Sequence, residues 1–586
     1  MLVVTSTTGQ GDVPANARQF WKSILRRKLP PTYLSNVHFT TFGLGDSSYP
    51  KFNWAARKLH KRISQLGADE FYPRGEADEQ HDEGLDATFV PWMTDIRRHL
   101  LERYPLEGDL EPIPEATPIE PKWILALRND CPIGQGNTAV AEDAAVTSSN
   151  GQFQGNPSPY QRTNSQCLNV VLQENRRLTP TTHWQDVRQL SFTSSSVASY
   201  GPGDILTIFP RNPPQDVETL LDLMGWTSVA DQEVCFIRNK SFSRYSHYSP
   251  PSVTLESTSS PMSLRKILTI SLDINAIPKR SFFAMIAHFT DDEMQKERLL
   301  EFVNPEYVDE LYDYTTRPRR SILEVLQEFD SVKIPWQWAA SVLPELRGRQ
   351  FSIASGGQLK TDSHGHVCFE LLVAIVRYKT VIKKIREGVC TRYLAALPEG
   401  SSLDVTLQKG SLGVSKEQTS RPLVMIGPGT GIAPIRSLVW ERLQRGQQTQ
   451  ARPPEPSNGS ISGKIDVGEM ALFFGCRNKD ADYFYQEEWY QLRKELPLQT
   501  FTAFSRDQKH KVYVQDVIRE HSELVSRLLH ELEGVVYVCG SSGKMPKAVR
   551  TALTEAFTRC GKMHQGDAEA YLQKMEKEGR YKQETW

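Results

Sequence analysis

At both ends of the chain an apolar strand runs into a glycine-rich loop and then into a helix, and few folds accept that order. Near the start, Leu2–Thr5 leads into Thr7-Thr8-Gly9-Gln10-Gly11-Asp12 and a helix expected over Ala17–Arg27. Val37–Phe42 then leads into Gly43-Leu44-Gly45-Asp46-Ser47-Ser48-Tyr49-Pro50-Lys51-Phe52-Asn53 and a helix to about Leu66. Far downstream, Pro422–Ile426 leads into Gly427-Pro-Gly-Thr-Gly-Ile-Ala-Pro434 and a helix over Ile435–Arg445. Strand, glycine loop, helix, repeated, is the pattern of a doubly wound α/β sheet, whose ligands sit at the carboxyl ends of the strands. Glycine lets backbone amides approach a flat ring or a phosphate. One G-x-G-x-G is a weak signal; a strand before it and a helix after it strengthen the reading.

With 586 residues the chain is too long for one core, so three or four domains are expected. The formal net charge is −1 and no dominant basic run occurs, which argues against nucleic acid as the main partner. Eight cysteines stand singly, without a C-x-x-C pair. A zinc site or disulfide framework is therefore not expected, and a reducing compartment is the default. No apolar run approaches the ~20 residues of a membrane span. The first residues carry no basic region and too short an apolar run for a signal peptide.

The middle of the chain changes character several times. A segment at Glu70–Pro73, the acidic loop Asp78–Asp82 and a helix over Ala87–Arg103 complete the first region. Residues 105–161, rich in Pro, Glu, Gly, Asn and Ser, read as a flexible linker. Ser165–Pro210 is β-rich, with His183-Trp-Gln-Asp-Val-Arg188 between strands; a lone histidine there is more often structural than catalytic. Residues 216–344 read as helical, broken by a Ser-rich stretch at Ser241–Ser263. Arg317-Pro-Arg-Arg320 suits a phosphate, or equally a solvated charge run.

Arg349-Gln350-Phe351-Ser352-Ile353-Ala354-Ser355 alternates in the manner of a strand, with Arg349, Phe351 and Ile353 on one face. It suits a flavin, offering a cation for pyrophosphate, a ring for stacking and a hydroxyl near the redox nitrogen; an ordinary strand with a surface arginine is the competing reading. After a strand at Val367–Tyr378, Gly388-Val389-Cys390-Thr391 opens a helix over Arg392–Leu397, and its amides offer an anion site. Strands at Met470–Phe474 and Leu498–Phe504 end in Gly475-Cys-Arg477 and Ser505-Arg506, followed by Lys511-Val512-Tyr513-Val514-Gln515. Cations at a strand end where NAD-binding folds carry an acid favour the 2′-phosphate of NADPH. The strand Val535–Val538 ends in Cys539, facing the ligand crevice, and the chain finishes in Glu584-Thr585-Trp586.

Taken together, RQFSIAS, GVCT, GPGTGIAP, SR followed by KVYVQ, the CG pair and the terminal tryptophan resemble the diflavin reductase family. The likeness implies a partial flavodoxin-like domain over 1–104, a ferredoxin-reductase-like β-barrel FAD domain with a helical insert over 162–415, and an α/β NADPH-binding domain over 416–586, a multidomain α/β and α+β chain. It implies FAD, FMN and NADPH as cofactors. FMN contacts fall on Thr5, Ser6, Thr7, Thr8, Gly9, Leu44 through Asn53 and Asp82. FAD contacts fall on Arg349, Gln350, Phe351, Ser352 and Gly388 through Thr391, with Arg319 assisting. Thr430, Ser505, Arg506 and Lys511 through Gln515 would hold NADPH. Ser352, Cys539 and Glu584 would line the hydride-transfer site, and Trp586 would cover the isoalloxazine. Thr8 stands where several relatives have an FMN-stacking tyrosine, and Ala548 where relatives often have an Asp near the nicotinamide nucleotide.

A flavodoxin also begins with two further βα units, roughly 50 residues at usual element lengths, which include its phosphate loop. The expectation is a truncated form with weakened FMN binding. The HWQDVR segment, the Arg-Pro-Arg-Arg cluster and the Glu-Thr-Trp ending resemble the NADPH-dependent branch that serves cytosolic iron–sulfur cluster assembly. That resemblance implies an anamorsin-type iron–sulfur acceptor and a cytoplasmic, also mitochondrion-associated, location. The alternatives are a cytochrome or sulfite reductase relative, or an FAD-only NADPH reductase.

Overall fold

The computed structural model describes residues 1–8, 11–47, 49, 51–81, 84–106, 117–130, 165–239, 262–410, 412–413, 420–450 and 467–586. They form two compact units. The first comprises residues 1–163, 212–346 and 380–384; the second comprises 164–211, 347–379 and 385–586.

The first unit opens with a parallel sheet. Leu2–Ser6 pairs with His38–Gly45, which pairs on its other side with Asp69–Glu70 and Gly75–Asp78. The segment expected at Glu70–Pro73 is a strand broken in two, because Pro73 has no N–H to give the ladder. The helix Trp54–Gln65 buries Ala55, Leu59 and Ile63 at the i, i+4, i+8 spacing of one helical face.

The same unit contains the helical insert, built on buried residues from Val217, Leu220 and Leu264 to Phe329 and Val342. Ser321 caps the helix Ile322–Glu328 through a capping box with Glu324. Two expectations fail here. Residues 105–161 are not linker throughout, since Trp123–Leu127 forms a strand antiparallel to Val234–Arg238. The five residues WILAL are apolar, and burying them outweighs the surrounding polar composition. By the same pairing, the insert is not wholly helical. Cys235, on that strand, is disulfide-bonded, an exception to the expected unpaired cysteines.

The second unit contains an antiparallel six-stranded sheet ordered Arg349–Ser352, Ile205–Ile208, Ser402–Gln408, Ser165–Arg177, Val187–Ser194, Val367–Ala374. A bridge from Ile353 to Leu371 joins its two ends, so the sheet nearly closes into a barrel. The strand expected at Val367–Tyr378 stops at Ala374, and Arg377–Lys379 instead forms a hairpin with Ile385–Glu387.

The unit also holds a five-stranded parallel sheet ordered Leu498–Phe504, Met470–Cys476, Leu423–Ile426, Val535–Gly540, Tyr581–Thr585. Its inner strand Leu423–Ile426 is buried along its whole length, as a sheet covered on both faces requires. The helix after the glycine loop starts earlier than expected, at Ile432, and runs to Gln450.

Candidate active site

The carboxyl ends of the parallel strands converge with the barrel strand Arg349–Ser352 in the second unit. The last strand, Tyr581–Thr585, pairs in parallel with Val535–Gly540, which sets Glu584 opposite Cys539. The Ser352 hydroxyl donates to Glu584 Oε1. Glu584 Oε2 is buried and has no hydrogen-bond partner among the described residues. Burial pushes the Glu584 carboxyl up to about 7, with the nearby Asp204 charge adding to the rise and the Ser352 bond opposing it. Burial likewise pushes the Cys539 thiol up, helped by the Glu584 charge, so Cys539 stays a thiol at neutral pH. The family resemblance implied these three residues together, and the fold brings them side by side. Trp586 follows directly: its amide donates to Gly540 O at 3.0 Å, and its carbonyl accepts from Ser542 at 3.1 Å. It is about half exposed.

The glycine loop packs against the same strand end. A Cβ at Gly431 would lie 2.2 Å from Cys539 O, so only glycine allows this approach. Gly429 takes φ 58, with open space where a side chain would project, and Thr430 stands between them. That leaves room for a pyrophosphate against backbone amides at a helix start.

Arg349 is exposed at the barrel edge, and its charge acts on Cys390, whose thiol burial pushes up to about 12. The arginine therefore faces the helix Val389–Ala396, whose first turn holds the expected Gly388–Thr391 anion site. Thr391 fixes this turn: its hydroxyl accepts from Val376 N at 3.1 Å and donates to Gly388 O at 3.3 Å. Phe351 is half-buried against the barrel core, and Gln350 donates to Gln408 at 3.3 Å. Arg319 belongs to the first unit, in a left-handed turn at φ 54.

The expected 2′-phosphate cluster is largely exposed. Ser505 N donates to Cys476 O at 2.9 Å and Arg506 N to Arg477 O at 2.8 Å, which brings two strand ends side by side. Arg506, Lys511 and Tyr513 are open to solvent and Val512 and Gln515 partly so. Val514 differs: its side chain is buried in the apolar core and touches where a Gly475 side chain would be, so it offers a ligand only backbone.

Sequence reasoning missed the weld between barrel and parallel sheet. Arg436, 5% exposed in its side chain, pairs with Glu370 of the barrel and with Glu488 at 2.7 Å, and donates to Ala354 O at 3.1 Å. Its guanidinium also covers the Tyr485 ring at 4.5 Å. Burial lowers the Arg436 pKa, and Tyr485 with the two carboxylates more than offsets this, so the cation persists. Next to it, Ser437 donates to Ser355 O at 2.7 Å. The available signal was a charge inside the run Ile432–Val439, whose only other polar residue is Ser437. A second missed contact stacks Arg477 on the Trp184 ring at 3.9 Å.

In the first unit, the loops after Leu2–Ser6 and His38–Gly45 meet. Thr7 Oγ1 accepts from Ala55 N at 3.2 Å, and Thr8 closes a tight loop through paired backbone bonds with Asp12. Asn53 is fully buried at φ 54 and donates to Ala77 O at 3.1 Å. Its Oδ1 has no partner among the described residues, and a Cβ at Gly45 would lie 2.5 Å from it. Thr5, buried, turns its hydroxyl to Ser6 O at 3.3 Å. Ser47 N donates to Asp78 at 2.9 Å. Leu44 packs into the cluster of Phe42 and Trp92. Lys51 lies over Trp54, and Phe52 under Arg57. Gly9, Ser48, Pro50 and Asp82 lie outside the described residues.

A buried acid hydrogen-bonded to a serine beside a thiol, where the carboxyl ends of a parallel sheet meet a barrel strand, suits a nicotinamide-dependent flavoprotein reductase. The comparisons agree. Family models match as flavodoxin over residues 1–92, FAD binding domain over 160–393 and oxidoreductase NAD-binding domain over 425–551. Relatives named NADPH-dependent diflavin oxidoreductase 1 span the whole chain. That of Aspergillus fumigatus is 53% identical, with 100% of this chain and 89% of the relative covered. That of Schizosaccharomyces pombe is 36% identical, covering 100% and 90%, and that of Xenopus laevis 37%, covering 100% and 91%. The chain belongs to the NADPH-dependent diflavin oxidoreductase family. It is an NADPH oxidoreductase, and its cofactors are FAD, FMN and NADPH.

Proposed function

We propose that the chain carries electrons from NADPH through FAD and FMN to an anamorsin-type iron–sulfur protein, in cytosolic iron–sulfur cluster assembly. The bound flavins supply the redox chemistry, taking electrons from NADPH in a pair and releasing them singly. The chain's residues bind, orient and manage one proton. Arg349 and the first turn of Val389–Ala396 take the FAD pyrophosphate. Gly427 to Gly431 take the NADPH pyrophosphate, and Ser505, Arg506 and Lys511 its 2′-phosphate. Phe351 and Trp586 bound the flavin ring. Ser352 orients the Glu584 carboxyl, which acts as the carboxylate once its proton is lost near pH 7, and Cys539 fills the floor beside it as an uncharged thiol.

The observation that carries the hydride site is the Ser352–Glu584 bond at the end of the strand bearing Cys539. The acceptor rests on the resemblance of the HWQDVR, RPRR and ETW segments. Mixing the NADPH-reduced protein with purified anamorsin-type protein, cytochrome c or sulfite reductase haemoprotein separates the readings. Bleaching of the iron–sulfur absorbance at catalytic rates is expected. Preference for either haem protein would overturn this acceptor, and dye reduction without any protein acceptor would favour the FAD-only reading. A cytoplasmic location with a mitochondrion-associated fraction is part of the proposal, and fractionation with fluorescent fusions tests it.

A further inference from the structure

The hairpin leading into the Gly388–Thr391 turn contradicts its own local preferences. Arg377–Lys379 pairs with Ile385–Glu387, and the connection closes through Lys383 N to Thr380 O and Thr380 N to Lys384 O, both 2.9 Å. Such a tip favours Asn, Asp or Gly, with glycine where φ is positive. This one has Val381 and Ile382 at the apex, and Lys383 in the left-handed position at φ 64. Two β-branched residues and a strained lysine are poor turn formers.

Nor does the tip bury its apolar groups. Val381 is 62% exposed, Ile382 54% and Ile385 52%. Between Arg377 and Arg386 stand five cations (Arg377, Lys379, Lys383, Lys384, Arg386) and no acid. Lys384 pairs with Glu324, and Arg377 lies 3.5 Å from Glu387. Lys379 and Lys383, both exposed, carry charge beside the tip.

We propose that this hairpin is a peripheral docking element for an anionic lipid surface, with Val381 and Ile382 entering the headgroup boundary and Lys379 and Lys383 meeting lipid phosphates. The order is that of an interface: aliphatic groups at the apex, cations set behind them. A protein partner fits less well, since a stable interface buries ~800 Å² per partner and two aliphatics on a narrow turn offer no pocket or groove. No helix among the described residues is long and apolar enough to cross a membrane. It would also bear on the flavin, because Val376 at the hairpin base accepts from Gly388 N at 2.9 Å and donates to Thr391.

The test is co-sedimentation of the FAD-loaded full chain with vesicles of phosphatidylcholine, alone or with about 30% phosphatidylserine, a charged leaflet of the kind that attracts lysines. Binding is expected to the mixed vesicles only, and to fall with salt. V381D/I382D should abolish it, and K379E/K383E should weaken it at least about tenfold. FAD content and NADPH-driven ferricyanide reduction should stay as in the wild type, which separates lost docking from lost folding. Equal binding by both variants, or no wild-type binding to charged vesicles, overturns the proposal. If wild type ignores vesicles while the variants lose reduction of a protein acceptor, the hairpin is a protein-docking element and the lipid reading is wrong.

Discussion

Ser352 donates to Glu584 across 232 positions of sequence, and this bond ties the barrel strand Arg349–Ser352 to the last strand of the parallel sheet. It also sets a titration. The ordinary carboxyl value is 4.5, and burial raises Glu584 to about 7. In the folded protein the group therefore stays protonated well into the range where an unfolded chain has lost its proton. Folding stability from this group falls as pH rises from 4.5 towards 7.

The same titration should show in the reaction. Nicotinamide gains positive charge as hydride leaves, and a Glu584 carboxylate would stabilise it. The rate of FAD reduction by NADPH is expected to climb as pH passes through about 7. Glu584→Gln should flatten the climb and lower the plateau, as read by stopped-flow absorbance. A profile identical in the variant would remove Glu584 from the chemistry.

Cys539→Ala should slow the same step several-fold at constant FAD content, because the thiol fills the space beside Glu584. An unchanged rate in stopped flow would make Cys539 packing only.

Arg436 is a buried cation with two carboxylates, and removing one side of such a network leaves uncompensated charge. Arg436→Met is expected to destabilise the unit by about 3–5 kcal/mol, seen as an earlier denaturant midpoint for flavin release. A midpoint within error of wild type would show that Glu370 and Glu488 need no partner.

Arg506→Ala should raise KM for NADPH far more than KM for NADH, since only NADPH carries the 2′-phosphate. Equal effects on the two would take Arg506 out of the specificity site.

Asn53→Ala removes a buried donor and forces alanine into the left-handed region, which costs about 1–2 kcal/mol in backbone alone. FMN per protein should drop while FAD is retained, as measured by flavin release and chromatography. Parallel loss of both flavins would point to general unfolding instead.

Both parallel-sheet regions were legible because strand, glycine loop and helix leave local marks in sequence. The site residues Arg349, Ser352, Cys539 and Glu584 were legible through resemblance, and the fold brings the last three together. Less visible was everything that depends on long-range pairing. Trp123–Leu127 joins Val234–Arg238 out of a polar stretch, and Arg436 meets Glu370 and Glu488, because partners distant in sequence leave no periodic trace. That the Val514 side chain turns into the apolar core was not legible for a related reason, since proximity to Lys511 and Gln515 says nothing about which way a side chain turns.

The barrel has a temporal consequence. Its strand Ile205–Ile208 pairs with Arg349–Ser352, yet residues 212–346 between them belong to the other unit. A growing polypeptide must therefore keep Ile205–Ile208 waiting beside the paired strands Ser165–Arg177 and Val187–Ser194 while the intervening segment is synthesised, with loop-closure entropy met only at the end. Ile205–Ile208 has both ladder edges unsatisfied throughout that interval, a window in which a chaperone or a wrong strand competes for it.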